Sequence, residues 1–192
     1  MTTDLVAQFS ESLTAVGGTA HGPLPVAEAL DLMVQLCQDR AGGAAVALST
    51  GDPVVERLGV EEHLASAGLE VLTPEDVFWH ERLAEAGVGV TGAVTAAATS
   101  GTVGIACGPR APRATSLVPP AHICLVRRAT MVEDLADALY RCATEATDAA
   151  DLPSGLVWVS GPSRSADLEL VLTVGVHGPG SVDVIVVEDN VR

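Results

Sequence analysis

Residues 44–72 read AAVALSTGDPVVERLGVEEHLASAGLEVL. Ala44–Leu48 is short and apolar and follows Gly42-Gly43, the pattern of a buried strand. Asp52-Pro53 then opens a helix, with Asp52 as the cap and Pro53 at the first helical position. The helical region runs toward Ala67, and Leu69–Leu72 is a second short strand. Strands that alternate with helices in this way belong to an α/β fold with a mostly parallel sheet.

The same alternation extends in both directions. Leu5, Phe9 and Leu13 recur at helical spacing, which predicts a helix near residues 3–15 that Gly17-Gly18 ends. Pro25 opens a second helix with Val26, Leu30, Met33, Cys37 and Ala41 on one face. Residues 1–41 are therefore expected to be an N-terminal helical region and 42–192 the α/β core of a single domain. Thr73-Pro74-Glu75-Asp76 predicts a capping box and a helix ending at Gly87. Residues 88–107 predict two adjacent strands with a tight turn near Ser100-Gly101. Gly108–Pro120 reads as a loop and Ile123–Val126 as a strand. Thr130 and Glu133 form a second capping box, before a helix that buries Val132, Leu135, Leu139 and Cys142. Leu156–Val159 reads as a buried strand, Leu168–Val176 as a helix and Val182–Val187 as the last strand. The expected architecture is a three-layer, Rossmann-like sheet covered on both faces. Ligands of such sheets sit beyond the carboxyl ends of the strands, which directs attention to the loops after 88–91, 123–126 and 156–159.

Composition narrows the function. The 192 residues carry a formal net charge of −15, hydrophobic residues make up 48% and aromatic residues 3%. All ten cations are arginines. Nucleic acid is disfavoured as a partner, because phosphate neutralisation needs a basic surface. The lack of lysine removes Schiff-base chemistry and the P-loop. Cys37, Cys107, Cys124 and Cys142 share no metal-ligand spacing, so no metal or cluster is expected on this chain. Free thiols suit a reducing cytoplasm. The first residues lack the pattern of a signal peptide, and no stretch reads as a membrane span.

Ser160-Gly161-Pro162-Ser163-Arg164-Ser165 is read as a turn from strand into helix. Free backbone amides and the helix dipole there would favour an anion, and Arg164 supplies a planar cation. The alternative is a capped turn in which Arg164 pairs with Asp167 or Glu169. Thr99-Ser100-Gly101-Thr102 is either a plain turn or a set of donors for a carboxylate or phosphate. Arg110 and Arg113 stand in the loop Gly108–Arg113 as salt-bridged or anion-facing cations. Gly87–Gly92 spells G-x-G-x-x-G, but a helix precedes it, and no acid lies between Glu85 and Glu133 to hold a ribose. A dinucleotide site is rejected. His122 and His177 are either histidines held by loop backbone or an acid/base pair of candidates, with Asp167 or Glu169 as the orienting group.

Three segments carry a resemblance: Thr91–Val103 (TGAVTAAATSGTV), Leu117–Val126 (LVPPAHICLV) and Ser160–Pro179 (SGPSRSADLELVLTVGVHGP). The chain resembles the lactate utilization protein C (LutC/YkgG-type) family, which carries the LUD domain, from about Phe9 through Val187. The resemblance implies a fold related to the NagB/RpiA/CoA-transferase-like group. It also implies work beside iron–sulfur partner proteins in oxidising L-lactate to pyruvate. Thr99 stands where many members of the family carry an acid, and the nucleophilic glutamate of CoA-transferases is not recognisable.

The leading expectation is a cytoplasmic accessory or regulatory subunit that holds a small carboxylate or phosphate. Thr91, Thr99, Ser100, Gly101, Thr102, Arg110, Ser160, Gly161, Ser163, Arg164 and Ser165 are its candidate ligand-binding residues. Iron–sulfur clusters are expected on partners, and a homo-oligomer is left open. The alternative is a stand-alone isomerase or acyl/CoA transferase, with His177, His122, Asp167 and Glu169 as catalytic candidates.

Overall fold

The computed structural model describes residues 4–145, 152–166, 172–175 and 177–188. Helix α1 (Leu5–Ala15) is capped by Asp4, whose carboxylate accepts from the Val6 N–H at 3.1 Å. The other elements follow in chain order: β1 (Thr19–Pro25), α2 (Val26–Ala41), β2 (Val46–Leu48), α3 (Pro53–Leu58), α4 (Val60–Ser66), β3 (Val71–Leu72) and α5 (Trp79–Arg82). Then come β4 (Val88–Ala93), β5 (Thr95–Ala97), β6 (Thr102–Cys107), α6 (Ala114–Leu117), β7 (Ala121–Arg127) and β8 (Met131–Val132). The chain continues through α7 (Leu135–Glu145), β9 (Gly155–Val159), β10 (Arg164–Ala166), β11 (Leu172–Val174) and β12 (Ser181–Glu188).

Six strands form one parallel sheet in the order β1-β12-β7-β4-β2-β3. Its central strands are covered on both faces, which is why they read as unbroken apolar runs. In β7, Ile123 and Leu125 face α2–α4 and pack with Leu30, Met33 and Cys37. Cys124 and Val126 alternate to the other face and meet Phe9 and Leu13 of α1 and Val103 and Ile105 of β6. That second face is covered mainly by another sheet, β8-β5-β6-β9, in which β6 pairs antiparallel with both β5 and β9. Among the described residues no helix is long and apolar enough to cross a membrane.

Several expectations are corrected. The N-terminal region is not wholly helical, since Thr19–Pro25 is an edge strand paired parallel with β12. Its two prolines and one glycine disguise it, and an edge tolerates them because one side of the strand needs no ladder bonds. Residues 88–107 hold three strands rather than two. β4 belongs to the parallel sheet, and β5 and β6 to the second. The predicted helix from Thr73 begins only at Trp79. Asp76 does reach back to the Thr73 N–H, but Glu75 is drawn away to Thr50 and Arg110.

Thr130 caps no helix. Its hydroxyl donates to the Arg127 carbonyl, Met131 pairs with Ala96, and Asp134 caps α7 instead by accepting from the Asp137 N–H. As a result Val132 is in a strand, and Leu135 and Leu139 are exposed. β9 is a half-buried edge of the second sheet. The expected helix after Ser160 is replaced by an antiparallel hairpin of β10 and β11, with Leu172–Val174 opposite Arg164–Ala166.

Candidate functional site

The order of the parallel sheet fixes where a ligand crevice forms. From β2 the chain moves outward to β3, then returns to the other side of β2 as β4 and continues toward β7. The loops leaving β2 and β4 therefore part in opposite directions and leave an opening at the strands' carboxyl ends. A cavity of about 530 Å³ lies there, within the range of small-molecule sites. Gly51 and Pro53 line it after β2, Val94 after β4, and Ala106 and Cys107 at the end of β6. Pro109–Ala111, Cys142 of α7 and Leu156 of β9 complete most of its largely apolar wall.

The rim is clasped by polar contacts between three loops. The Gly51 N–H donates to the Arg110 carbonyl at 2.9 Å. A side chain at Gly51 could not fit, because its Cβ would lie 2.6 Å from Arg110 Cβ. The Arg110 Nε donates to Glu75 Oε1 at 2.6 Å, and the Thr50 hydroxyl donates to the same carboxylate at 3.0 Å. Partial desolvation pushes the Glu75 carboxyl up, but the bonds from Arg110 and Thr50 outweigh it and hold the group below its ordinary value. Arg110 Nη1 and Nη2 carry the remaining donors of the fork.

Beneath this wall is Asp52. It is fully buried, and its Oδ1 accepts from the Val54 N–H at 2.8 Å and the Val55 N–H at 3.3 Å. The Gly92 amide of β4 also donates to the carboxylate, so Asp52 ties the exit of β2 to β4. Oδ2 has no hydrogen-bond partner. Burial pushes the acid up to about 6, against the lowering effect of the three amides. Its charge reaches Cys107 in the cavity wall, whose thiol is raised mainly by burial.

The residues anticipated from sequence do not converge on one place. Arg110 is at the cavity. Thr91 and His122 meet inside the protein, with Thr91 Oγ1 2.9 Å from His122 Nε2. Ser100, Thr102 and Ser160 join in a hydroxyl chain with links of 2.8 and 2.7 Å, and Ser12 donates to the Thr99 carbonyl. Gly101 closes the turn in a left-handed conformation. This cluster is at the opposite end of β6 from Cys107, roughly 17 Å away at strand rise.

Gly161 follows Ser160 against the end of α1, where a Cβ would crowd Val16. The Ser163 N–H donates to the Pro179 carbonyl, and the Gly175 N–H to the Ser163 carbonyl. Arg164 is exposed and begins β10 beside Ser165, so it faces no helix dipole. His177 is exposed, and Asp167 and Glu169 lie outside the described residues.

Asp52, Thr50, Glu75 and the two cavity cysteines were not among the anticipated site residues. The Asp52-Pro53 signal was legible as a cap, but only the strand order shows that this cap stands at the switch point.

The model of the LUD domain family matches residues 6–187. Lactate utilization protein C of Halalkalibacterium halodurans is 34% identical over 143 residues, covering 74% of this chain and 62% of that one. The protein of the same name from Deinococcus radiodurans is 33% identical over 147 residues, covering 76% and 68%. YkgG of Escherichia coli, described as uncharacterized, is 32% identical over 165 residues, covering 85% and 71%. The chain thus spans less than two thirds of the first relative's length. A crystal structure described as a DUF162 family protein from Deinococcus radiodurans superposes with a TM-score of 0.70, covering 96% of both chains at 24% identity. That likeness speaks to the fold.

Proposed function

The chain belongs to the LUD domain family, and from that premise we propose that it serves lactate utilization as an accessory, ligand-binding component. The ligand is a small carboxylate seated in the cavity beyond β2 and β4. Support comes from one observation above all: an apolar cavity of small-molecule size at the switch point, with Arg110 the one arginine among the described residues of its lining. A planar guanidinium matches a carboxylate, and Arg110 stands at the exposed rim where an incoming anion can meet it. Electron transfer is assigned to iron–sulfur partner proteins. The four cysteines here arise from four separate elements, and three of them are buried.

Calorimetric titration of the purified protein with L-lactate, pyruvate and inorganic phosphate tests the binding step. One of the carboxylates is expected to bind, with a loss of about tenfold or more in Arg110→Ala. Failure of all three to bind overturns the reading. A loss in Arg164→Ala with none in Arg110→Ala moves the anion site to the loop after β9. Affinity capture from lactate-grown cells tests the partner assignment, and recovery of iron–sulfur proteins is the expected result.

A further inference from the structure

Helix α7 turns its apolar side to water. Leu135, Leu139, Ala143, Ala136 and Tyr140 fall within one arc of roughly 140° around the helix axis. All five are exposed, Leu139 at 47% and Tyr140 at 72%. Among the described side chains of α7 only Ala138 is buried, and Arg141 and Cys142 are half-buried. The helix thus rests on β5 by its narrow side. An amphipathic helix ordinarily packs its apolar stripe inward, and a contiguous apolar face left outward marks an interaction site. The face borders the cavity. Cys142, next to Leu139 and Leu135 around the helix, is in the cavity wall, and so is Pro153, whose chain neighbour Leu152 is also exposed.

Charge decides what can cover this face. Glu133, Asp134 and Asp137 are exposed at the start of α7. The helix has one cation, Arg141, and it is half-buried on the side away from the arc. In a second copy laid parallel, the acids would meet the same acids. Laid antiparallel, they would meet the carbonyl end of the facing helix, which is also negative. Size argues the same way. A helix of 11 residues is about 16 Å long, so its one face falls well short of the roughly 800 Å² a side of a standard interface. An apolar contact this small needs charge of the opposite sign around it.

We propose that the exposed face of α7 is a docking surface for a partner protein whose own apolar patch is ringed by lysine and arginine. Glu133, Asp134 and Asp137 steer the basic rim into place, and Leu135, Leu139 and Tyr140 supply the apolar contact. A partner seated there lies beside the part of the cavity wall that Cys142 and Pro153 form. The inference goes beyond the carboxylate-binding reading and does not depend on which ligand the cavity takes.

The test places a photo-cross-linking residue on the face, Tyr140→p-benzoylphenylalanine, and another on α3 as a control, Arg57→p-benzoylphenylalanine. Cells are illuminated and the linked peptide is identified by mass spectrometry. A different protein is expected to link at 140 and not at 57, through a surface that is apolar and ringed by basic residues. Its association with the full chain is then followed by surface plasmon resonance. The association rate is expected to fall about tenfold between about 0.05 M and about 0.3 M salt, and to fall in Glu133→Gln/Asp137→Asn at the lower salt. Dissociation is expected to quicken about tenfold in Leu139→Ser, which leaves the charge unchanged. Tyr140→Ser carries the same comparison if Leu139→Ser fails to fold. A link to a second copy, to an acidic surface or to no protein overturns the proposal. So does binding that neither apolar variant weakens.

Discussion

Thr91 Oγ1 and His122 Nε2 lie 2.9 Å apart inside the protein, on the face of the parallel sheet that the second sheet covers, and the other ring nitrogen of His122 has no partner. Burial holds this imidazole down to about 4, against a weaker upward pull from Asp183. Below its ordinary value the unfolded chain takes up a proton that the native state refuses, so His122 costs stability as pH falls from 6.5 toward 4.

Asp52 does the reverse. Its native value near 6 exceeds its ordinary 3.8, so the native state binds the extra proton. The stability this brings is full below 3.8 and lost as pH rises through 6. Each effect is on the order of 3 kcal/mol, and across the shared window they oppose each other. His122→Gln is expected to become less stable relative to wild type as pH rises from about 4 to about 6.5, and Asp52→Asn relatively more stable. Urea unfolding at a series of pH values measures both tilts, and curves parallel to wild type would refute the assignment.

Asp183 carries the one acid of β12's buried middle, where His21 of β1 and Arg40 of α2 reach it at 2.9 and 3.1 Å. Arg40 is 41% exposed and Asp183 only 2%. The carboxylate therefore suffers more from losing its partner than the arginine does. Arg40→Leu should cost about 3 kcal/mol, whereas Asp183→Asn should cost less, because Arg40 can turn to water. The double variant should recover part of the Arg40→Leu loss in chemical denaturation. Simple additivity would count against a coupled pair.

Gly92 leaves room for Asp52. A Cβ there would lie 2.0 Å from Asp52 Oδ1 and 2.8 Å from Val54 Cβ. Gly92→Ala is expected to destabilise by about 2 kcal/mol or more and to open the cavity floor. The opening should appear as faster alkylation of Cys107, followed by mass spectrometry. An unchanged rate in a folded variant would place the strain elsewhere.

Three of the four cysteines, Cys37, Cys107 and Cys124, are buried, and Cys142 is half-buried. Burial pushes Cys37 and Cys124 up to about 12. Native protein should therefore react with a thiol reagent first at Cys142, then at Cys107, and at Cys37 and Cys124 only after denaturation. Early modification of Cys124 would contradict the packing described between the sheets.

The parallel sheet was legible because strands buried on both faces announce themselves as apolar runs, as in Val46–Leu48 and Ala121–Arg127. What the runs could not show was sheet membership. Nothing local distinguishes β4 from β5, although a single residue, Val94, separates strands of different sheets. Arg164 illustrates a second limit. Gly161 and Pro162 signal a turn, but whether a helix or a hairpin follows depends on partners at Pro179 and Gly175. The cavity was hidden for the same reason. Arg110 was visible as a loop cation, but Asp52 reads as an ordinary cap until strand order places it between β2 and β4.

β1 hydrogen-bonds within the sheet to β12, and β12 stands between it and β7. A strand made at residues 19–25 thus waits for residues 181–188 before it has any ladder to join. During synthesis the helices and inner strands have neighbours as soon as they emerge, but this edge has none until residues 181–188 have emerged as well. Until then the β7 edge stays open as a template for other strands. Completion of the sheet therefore waits for β12, and the interval before it is when the open edge is most prone to wrong pairing.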